Sequence, residues 1–210
     1  MEKLCRTYWS PLNAYIQRQG HTQHDAQDLT QEFFARFLKK NYLSDVAREK
    51  GKFRSFLLAA LKHFLTNERD RLNALKRGGG KPVISLDEQT TGNAARLEPA
   101  SDVSPEISFD KRWATVVLEQ AFAALQEEFV AAEKIQVFDK LKLFLGTEAS
   151  PGGYAALAAE LGMSANTVAV TVHRLRQRYR ELARAEIANT VSSPDEIEDE
   201  MRYLFAVLVK

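Results

Sequence analysis

Apolar positions recur at helical spacing through the first 75 residues, disappear, and resume from Phe109 to Leu182. In the first stretch Ala26, Leu29, Phe33, Phe34, Phe37 and Leu38 form one broad apolar face. Further on, Phe53, Phe56, Leu57, Ala60, Leu61, Phe64 and Leu65 form an unbroken core stripe. No alternating β-branched run of strand length interrupts them. Between Leu75 and Ser108 the pattern gives way to Gly78, Gly79, Gly80, Pro82, Gly92, Pro99 and Pro105 among many Ser, Thr and Asn, the composition of a linker, with Val83-Ile84 as a partly extended piece. A second break at Ser192-Ser193-Pro194 precedes a short last helix. The pattern predicts an all-α chain of two small helical domains, 1–75 and 109–188, joined by a flexible linker over 76–108 and followed by a helical tail, 189–210.

Within the second domain, residues 154–184 predict a helix, a tight turn and a second helix. Leu157, Ala158 and Leu161 line the first helix, and Gly162 supplies the positive φ at its end. Ser164 stands where an N-cap is needed, and Val168, Val172, Leu175, Tyr179 and Leu182 then recur at the helical period. This is a helix-turn-helix, whose second helix enters the DNA major groove. Its outward residues are Ala165, Asn166, Thr167, Ala169, Val170, Thr171, His173 and Arg174, with Ser164 at the start. Asn166 suits adenine, Arg174 suits guanine or phosphate, and Val170 offers only apolar contact. Arg176, Arg178 and Arg180 read equally well as phosphate contacts and as a solvated helix end. Before this motif Ile135, Phe138, Leu141 and Leu145 predict a further core stripe. In the tail Ile197, Met201, Leu204, Phe205 and Leu208 predict a helix that caps the domain; the alternative is a tail docked on the basic surface or on a regulator.

Charge narrows the picture. The chain has 210 residues and a formal net charge of only +1, so any nucleic-acid surface is local and offset by acidic segments. Its lone cysteine, Cys5, cannot form an internal disulfide, which fits a reducing cytoplasm. The start is polar and mixed and no apolar run approaches a membrane span, which predicts neither a secretory signal nor a membrane partner.

In the first domain Thr22 and Asp25 predict a variant capping box. Asp25, Asp28 and Glu32 fall at i, i+3, i+7 and, with Gln31 exposed beside them, form an acidic stripe suited to a basic helical partner. Arg54, Lys62 and Arg69, with Ser55 and Thr66 nearby, form a positive face suited to a nucleic-acid backbone, preceded by the charged loop 44–52. His21 and His24 are too isolated from the other histidines to predict a metal site, and no nucleophile–base arrangement stands out, so the expectation is a protein without catalytic residues, metal or cofactor. Gly78-Gly79-Gly80-Lys81 fails as a phosphate loop, because Pro82 replaces the required Ser or Thr and the spacing is wrong.

In this order, three motifs resemble the extracytoplasmic-function (ECF) sigma factors, the two-domain form of the sigma-70-type RNA polymerase sigma family. DAQDLTQEFFARF is similar to the family's core-polymerase-binding helix, KGKFRSFLLAALKHFLTNERDR to its promoter-melting helix, and YAALAAELGMSANTVAVTVHRLRQRYREL to its upstream-element helix-turn-helix. KRGGGKP followed by SLD, with the Phe33-Phe34 pair, is similar to a subgroup found in planctomycete-like bacteria.

The resemblance implies a cytoplasmic, nucleoid-associated initiation subunit that is not an enzyme. Asp25, Asp28, Gln31 and Glu32 would dock on the β′ clamp helices of core RNA polymerase, with the β flap as a further contact. Lys52, Arg54, Ser55, Lys62, His63 and Arg69 would engage the −10 element as it opens. Ser164, Asn166, Thr167, Val170, Thr171, His173, Arg174, Arg176 and Arg178 would bind the −35 element as duplex. Promoter DNA is the second partner, and the family leaves room for an anti-sigma factor or another regulator. It also implies a helical stretch before Leu4. Relatives often carry Asn where His63 stands, and Lys or Arg at the positions of Ala169 and Thr171. Two rival readings are a stand-alone helix-turn-helix regulator and a helical metal-dependent hydrolase using His21, His24 and Asp25.

Overall fold

The computed structural model describes residues 2–39, 53–78, 104–147, 153–191 and 193–209. Among these the chain is all-α. The helices are α1 (Glu2–Arg18), α2 (Gln23–Lys39), α3 (Phe53–Gly78), α4 (Pro105–Ala131), α5 (Ile135–Leu141), a 3-10 turn (Lys142–Phe144), α6 (Gly153–Leu161), α7 (Ala165–Ala188) and α8 (Glu196–Val209). The loop 44–52, Lys52 within it, and residues 79–103 of the expected linker, with Val83-Ile84, lie outside the described residues. The chain divides into two compact units, Met1–Trp113 and Ala114–Lys210.

The first unit is built on aromatic packing. Tyr8, Leu12, Tyr15 and Ile16 of α1 are buried, as are Ala26, Phe33, Phe34 and Phe37 of α2 and Leu57, Leu61 and Phe64 of α3. Phe33 is the hub, with ring centroids 5.7 Å from Phe64 and 5.5 Å from Phe37, separations typical of favourable aromatic pairs. α2 begins as its sequence predicts, since the Asp25 amide donates to Thr22 Oγ1 (3.2 Å) and the Thr22 hydroxyl donates to Asp25 Oδ2 (2.7 Å). The pair differs from a full capping box in that the carboxylate takes the threonine hydroxyl rather than a backbone N–H.

The first unit reaches further along the chain than the apolar pattern predicts. Phe109 and Trp113 are fully buried, and the division between units falls inside α4, beyond the expected domain start at residue 109. A helical period shows that Phe109 and Trp113 turn inward, but not which core receives them.

In the second unit Leu125 of α4, Phe138 and Leu141 of α5, Leu157 and Ala158 of α6, and Val168, Val172 and Leu175 of α7 form one buried cluster. Ile135 and Leu145 flank it half-buried, so the stripe expected before the helix-turn-helix is realised with Phe138 and Leu141 at its centre. The tail helix α8 lies against α7, with Met201, Leu204 and Val207 buried, as a domain-capping helix requires. Val207 takes the inward place, while Phe205 and Leu208 stay exposed. An ion pair between Arg184 of α7 and Glu198 of α8 ties the two helices near the start of α8.

Candidate nucleic-acid and partner interfaces

The helix-turn-helix is fixed by two local devices. Gly162 sits at φ +64° and the Met163 amide reaches back to the Ala158 carbonyl (2.9 Å), the six-residue closure of a Schellman motif. Ser164, extended at φ −76° and ψ 151°, then accepts from the Thr167 amide at 3.1 Å and caps α7. The axes of α6 and α7 turn through 99° between them, within the range of helix-turn-helix units. We expect Ser164→Ala to lower the stability of the second unit by about 1 kcal/mol, read as a shift in the thermal midpoint; an unchanged midpoint would show that the cap is dispensable.

The outward face of α7 is sparse. Asn166, Thr167, His173 and Arg174 are exposed, and Val170 is 42% exposed. Two of the hydroxyls are already engaged. Thr167 Oγ1 lies 2.8 Å from Ser164 Oγ, and Thr171 donates to the Thr167 carbonyl at 2.7 Å. Ala169 and Thr171 are half-buried rather than outward.

Arg176 and Arg178 hold contacts inside the unit. Arg176 Nε donates to the Phe144 carbonyl (2.8 Å) and its Nη2 to the Thr147 carbonyl (2.6 Å), linking α7 to the 3-10 turn region. Arg178 grips Glu128 of α4 through Nε (3.1 and 3.0 Å) and Nη2 (2.6 Å), and Glu181 through Nη1 (3.0 Å). The sequence reads both equally as phosphate contacts and as a solvated helix end, whereas their partners here, Phe144, Thr147 and Glu128, come from segments 29 to 50 residues away. Helical spacing on α7 carries no sign of such partners. Arg174 and Arg180 are exposed, with no ion pair among the described residues.

The Glu128 carboxyl is held below its usual range, first by its hydrogen bond from Arg178, and the Arg178 guanidinium is correspondingly pushed up. Because the folded carboxyl titrates below its ordinary value of 4.5, the pair's contribution is complete above that value and is lost as the pH falls through the depressed folded one. Both side chains are nearly half exposed, which holds the contribution within about 1 kcal/mol. Glu128→Gln should therefore weaken the second unit at neutral pH and converge with wild type in acid, measured by hydrogen exchange of α7 amides. A gap independent of pH would exclude the ion pair as its cause.

In the first unit the acidic stripe lies along the surface of α2. Asp28 is 67% exposed and touches His24 Nδ1 at 3.2 Å. Asp25 and Gln31 are exposed, whereas Glu32 is tied to Arg36 at 2.5 Å, and Arg36 also reaches buried Glu68 at 2.7 Å. Thr30, which the apolar pattern passes over, is buried on the inner face and donates to the Ala26 carbonyl at 2.6 Å.

The basic stripe on α3 is only partly open. Ser55, Lys62, Thr66 and Arg69 share a narrow stripe by helical spacing and all are exposed, as is His63. Arg54 departs from the expectation of a phosphate contact. It is 6% exposed, hydrogen-bonded to Asp110 Oδ1, and lies 4.9 Å over the Trp113 ring. Lys62 pairs with Glu106 Oε1 at 2.7 Å and lies 5.9 Å from the Tyr15 ring. That hydrogen bond is the leading cause that raises the Lys62 ammonium and lowers the Glu106 carboxyl from their ordinary values. The partners of both cations, Asp110 and Glu106, stand 56 and 44 residues further along the chain, which explains why helical spacing on α3 does not reveal them.

Among the described residues no three His, Cys, Asp or Glu side chains are grouped to hold a metal ion, and no single helix is long and apolar enough to cross a membrane. The geometry thus describes an all-α protein of two units, one carrying a capped helix-turn-helix and the other a surface acidic helix beside a partly covered basic one. The chain is similar to the ECF RNA polymerase sigma factor SigE of Mycolicibacterium smegmatis, at 27% identity over 194 residues. The match covers 91% of this chain, which spans 65% of that protein's length. No family profile and no solved structure matches. The similarity runs through both units and supports the ECF sigma resemblance that the three motifs carry.

Proposed function

We propose that this chain is a transcription initiation subunit of the ECF sigma type, of the subgroup marked by KRGGGKP and SLD. It binds core RNA polymerase through Asp25, Asp28, Gln31 and Glu32 of α2, on the β′ clamp helices, with the β flap as a further contact. It then directs the enzyme to promoters. The first unit engages the −10 element through Ser55, Lys62, His63 and Arg69 of α3 together with Lys52, and the second grips the −35 element as duplex. Asn166, Val170, His173 and Arg174 supply the base-facing surface of α7, and Ser164, Thr167 and Thr171 shape its start. It works in the cytoplasm on nucleoid DNA and is not an enzyme.

The observation that carries this reading is the capped, sparsely furnished helix-turn-helix in a chain similar to a sigma factor across both units. An α7 with few base-reading side chains gives weak sequence discrimination alone, because each good bidentate base contact is worth only about 1–3 kcal/mol. A second promoter contact and the polymerase would supply the rest. The test is transcription in vitro with core RNA polymerase and a promoter selected from a random library. Promoter-specific transcripts that require the chain are expected. A dimer that binds a palindrome and ignores core polymerase would instead identify a stand-alone regulator.

A further inference from the structure

Glu106 stands on the first turn of α4 and Asp110 one turn later, and each meets a cation of α3. The later acid meets the earlier base, Asp110 with Arg54 and Glu106 with Lys62, so the two stretches run in opposite directions along their contact. The inner pair is sealed: Arg54 and Asp110 are 6% and 7% exposed, with Phe109 and Trp113 fully buried on the same turns. The outer pair is open, with about half of the Lys62 and Glu106 side chains accessible. Lys62 lies on the same stripe of α3 as exposed Ser55, Thr66 and Arg69. The outer carboxylate therefore occupies the one cation that separates Ser55 from Arg69 along that stripe.

We propose that Glu106 is an intramolecular competitor for nucleic-acid phosphate, held over Lys62 by the buried Arg54–Asp110 anchor, so that the basic stripe of α3 is partly neutralised in the free chain. This rests on the reading that α3 meets single-stranded promoter DNA. The division of labour follows from burial. A sealed pair cannot be exchanged for phosphate without opening the core, whereas an exposed pair of this kind is held weakly and can be displaced. Binding of the free chain to exposed single strands away from a promoter is thereby damped, and displacement of Glu106 by promoter phosphate restores Lys62 to the stripe.

The experiment measures binding of a short fluorescein-labelled single-stranded DNA oligonucleotide to the full chain across a salt series. Glu106→Gln should bind about fivefold tighter at low salt, as expected for release from an exposed ion pair. Its plot of log affinity against log salt should steepen by about 0.7, the increment for one further phosphate contact on a single strand. Lys62→Gln should abolish the gain in the Glu106→Gln background, because the gain is the release of that one cation. Glu119→Gln, an exposed carboxylate further along α4, controls for loss of one negative charge. An equal gain from Glu119→Gln, a gain that survives Lys62→Gln, or no detectable binding by any of these proteins would each overturn the proposal. Transcription by wild type with core polymerase, scored alongside, decides the initiation reading separately.

Discussion

Asp110→Ala is expected to destabilise the first unit by about 3–5 kcal/mol, the cost of breaking a buried ion pair by removing one member. That loss is a large part of the 5–15 kcal/mol that a small domain has. Arg54 is buried against Asp110 and over the Trp113 ring, so the guanidinium has no route to water without disturbing the core. Replacing both partners with apolar residues of similar volume, Arg54→Met with Asp110→Leu, should restore much of the loss, because well-packed apolar side chains often match a buried ion pair in stability. Both tryptophans, Trp9 and Trp113, belong to the first unit. Urea unfolding followed by tryptophan fluorescence therefore follows that unit. A midpoint for Asp110→Ala indistinguishable from wild type would show that the pair is not sealed from solvent.

The second large effect is on partner binding. Asp28→Arg should weaken association with core RNA polymerase by about a hundredfold and remove chain-dependent transcription, because a like charge placed against a basic helical partner costs several kcal/mol. Asp28 is 67% exposed and its ion pair among the described residues is with His24 of the same helix, so the fold should change by no more than about 0.5 kcal/mol. Circular dichroism and the urea midpoint check that the fold is kept, and a pull-down with core polymerase checks the binding. Full binding by the variant would remove the acidic stripe from the interface. Glu32 is expected to matter less, since Arg36 already occupies its carboxylate.

Much of this molecule is local and therefore legible in the residue order. The Gly162 turn, the Ser164 cap and the inward set Val168, Val172 and Leu175 follow from spacing and backbone chemistry, and each stands where the sequence predicts it. So does the Thr22–Asp25 start of α2 with its broad phenylalanine face. These features need only neighbours three or four residues away, and the helical period states where those neighbours are.

The electrostatic surfaces were less legible. By residue type alone Arg54, Lys62 and Arg69 look alike, yet one is sealed in the core, one is paired and one is exposed. The same holds on α7, where Arg176 holds backbone carbonyls, Arg178 holds Glu128, and Arg174 is exposed. A charge in the sequence is a capacity for an interaction, and its use depends on which opposite charge or carbonyl arrives from elsewhere in the chain. The sequence by itself determined the helices, their caps and their inward faces, because backbone hydrogen bonding and apolar period are short-range. Only the tertiary structure decided which cations remain open to a partner, because Asp110, Glu106 and Glu128 reach them across gaps of 44 to 56 residues that no local pattern records.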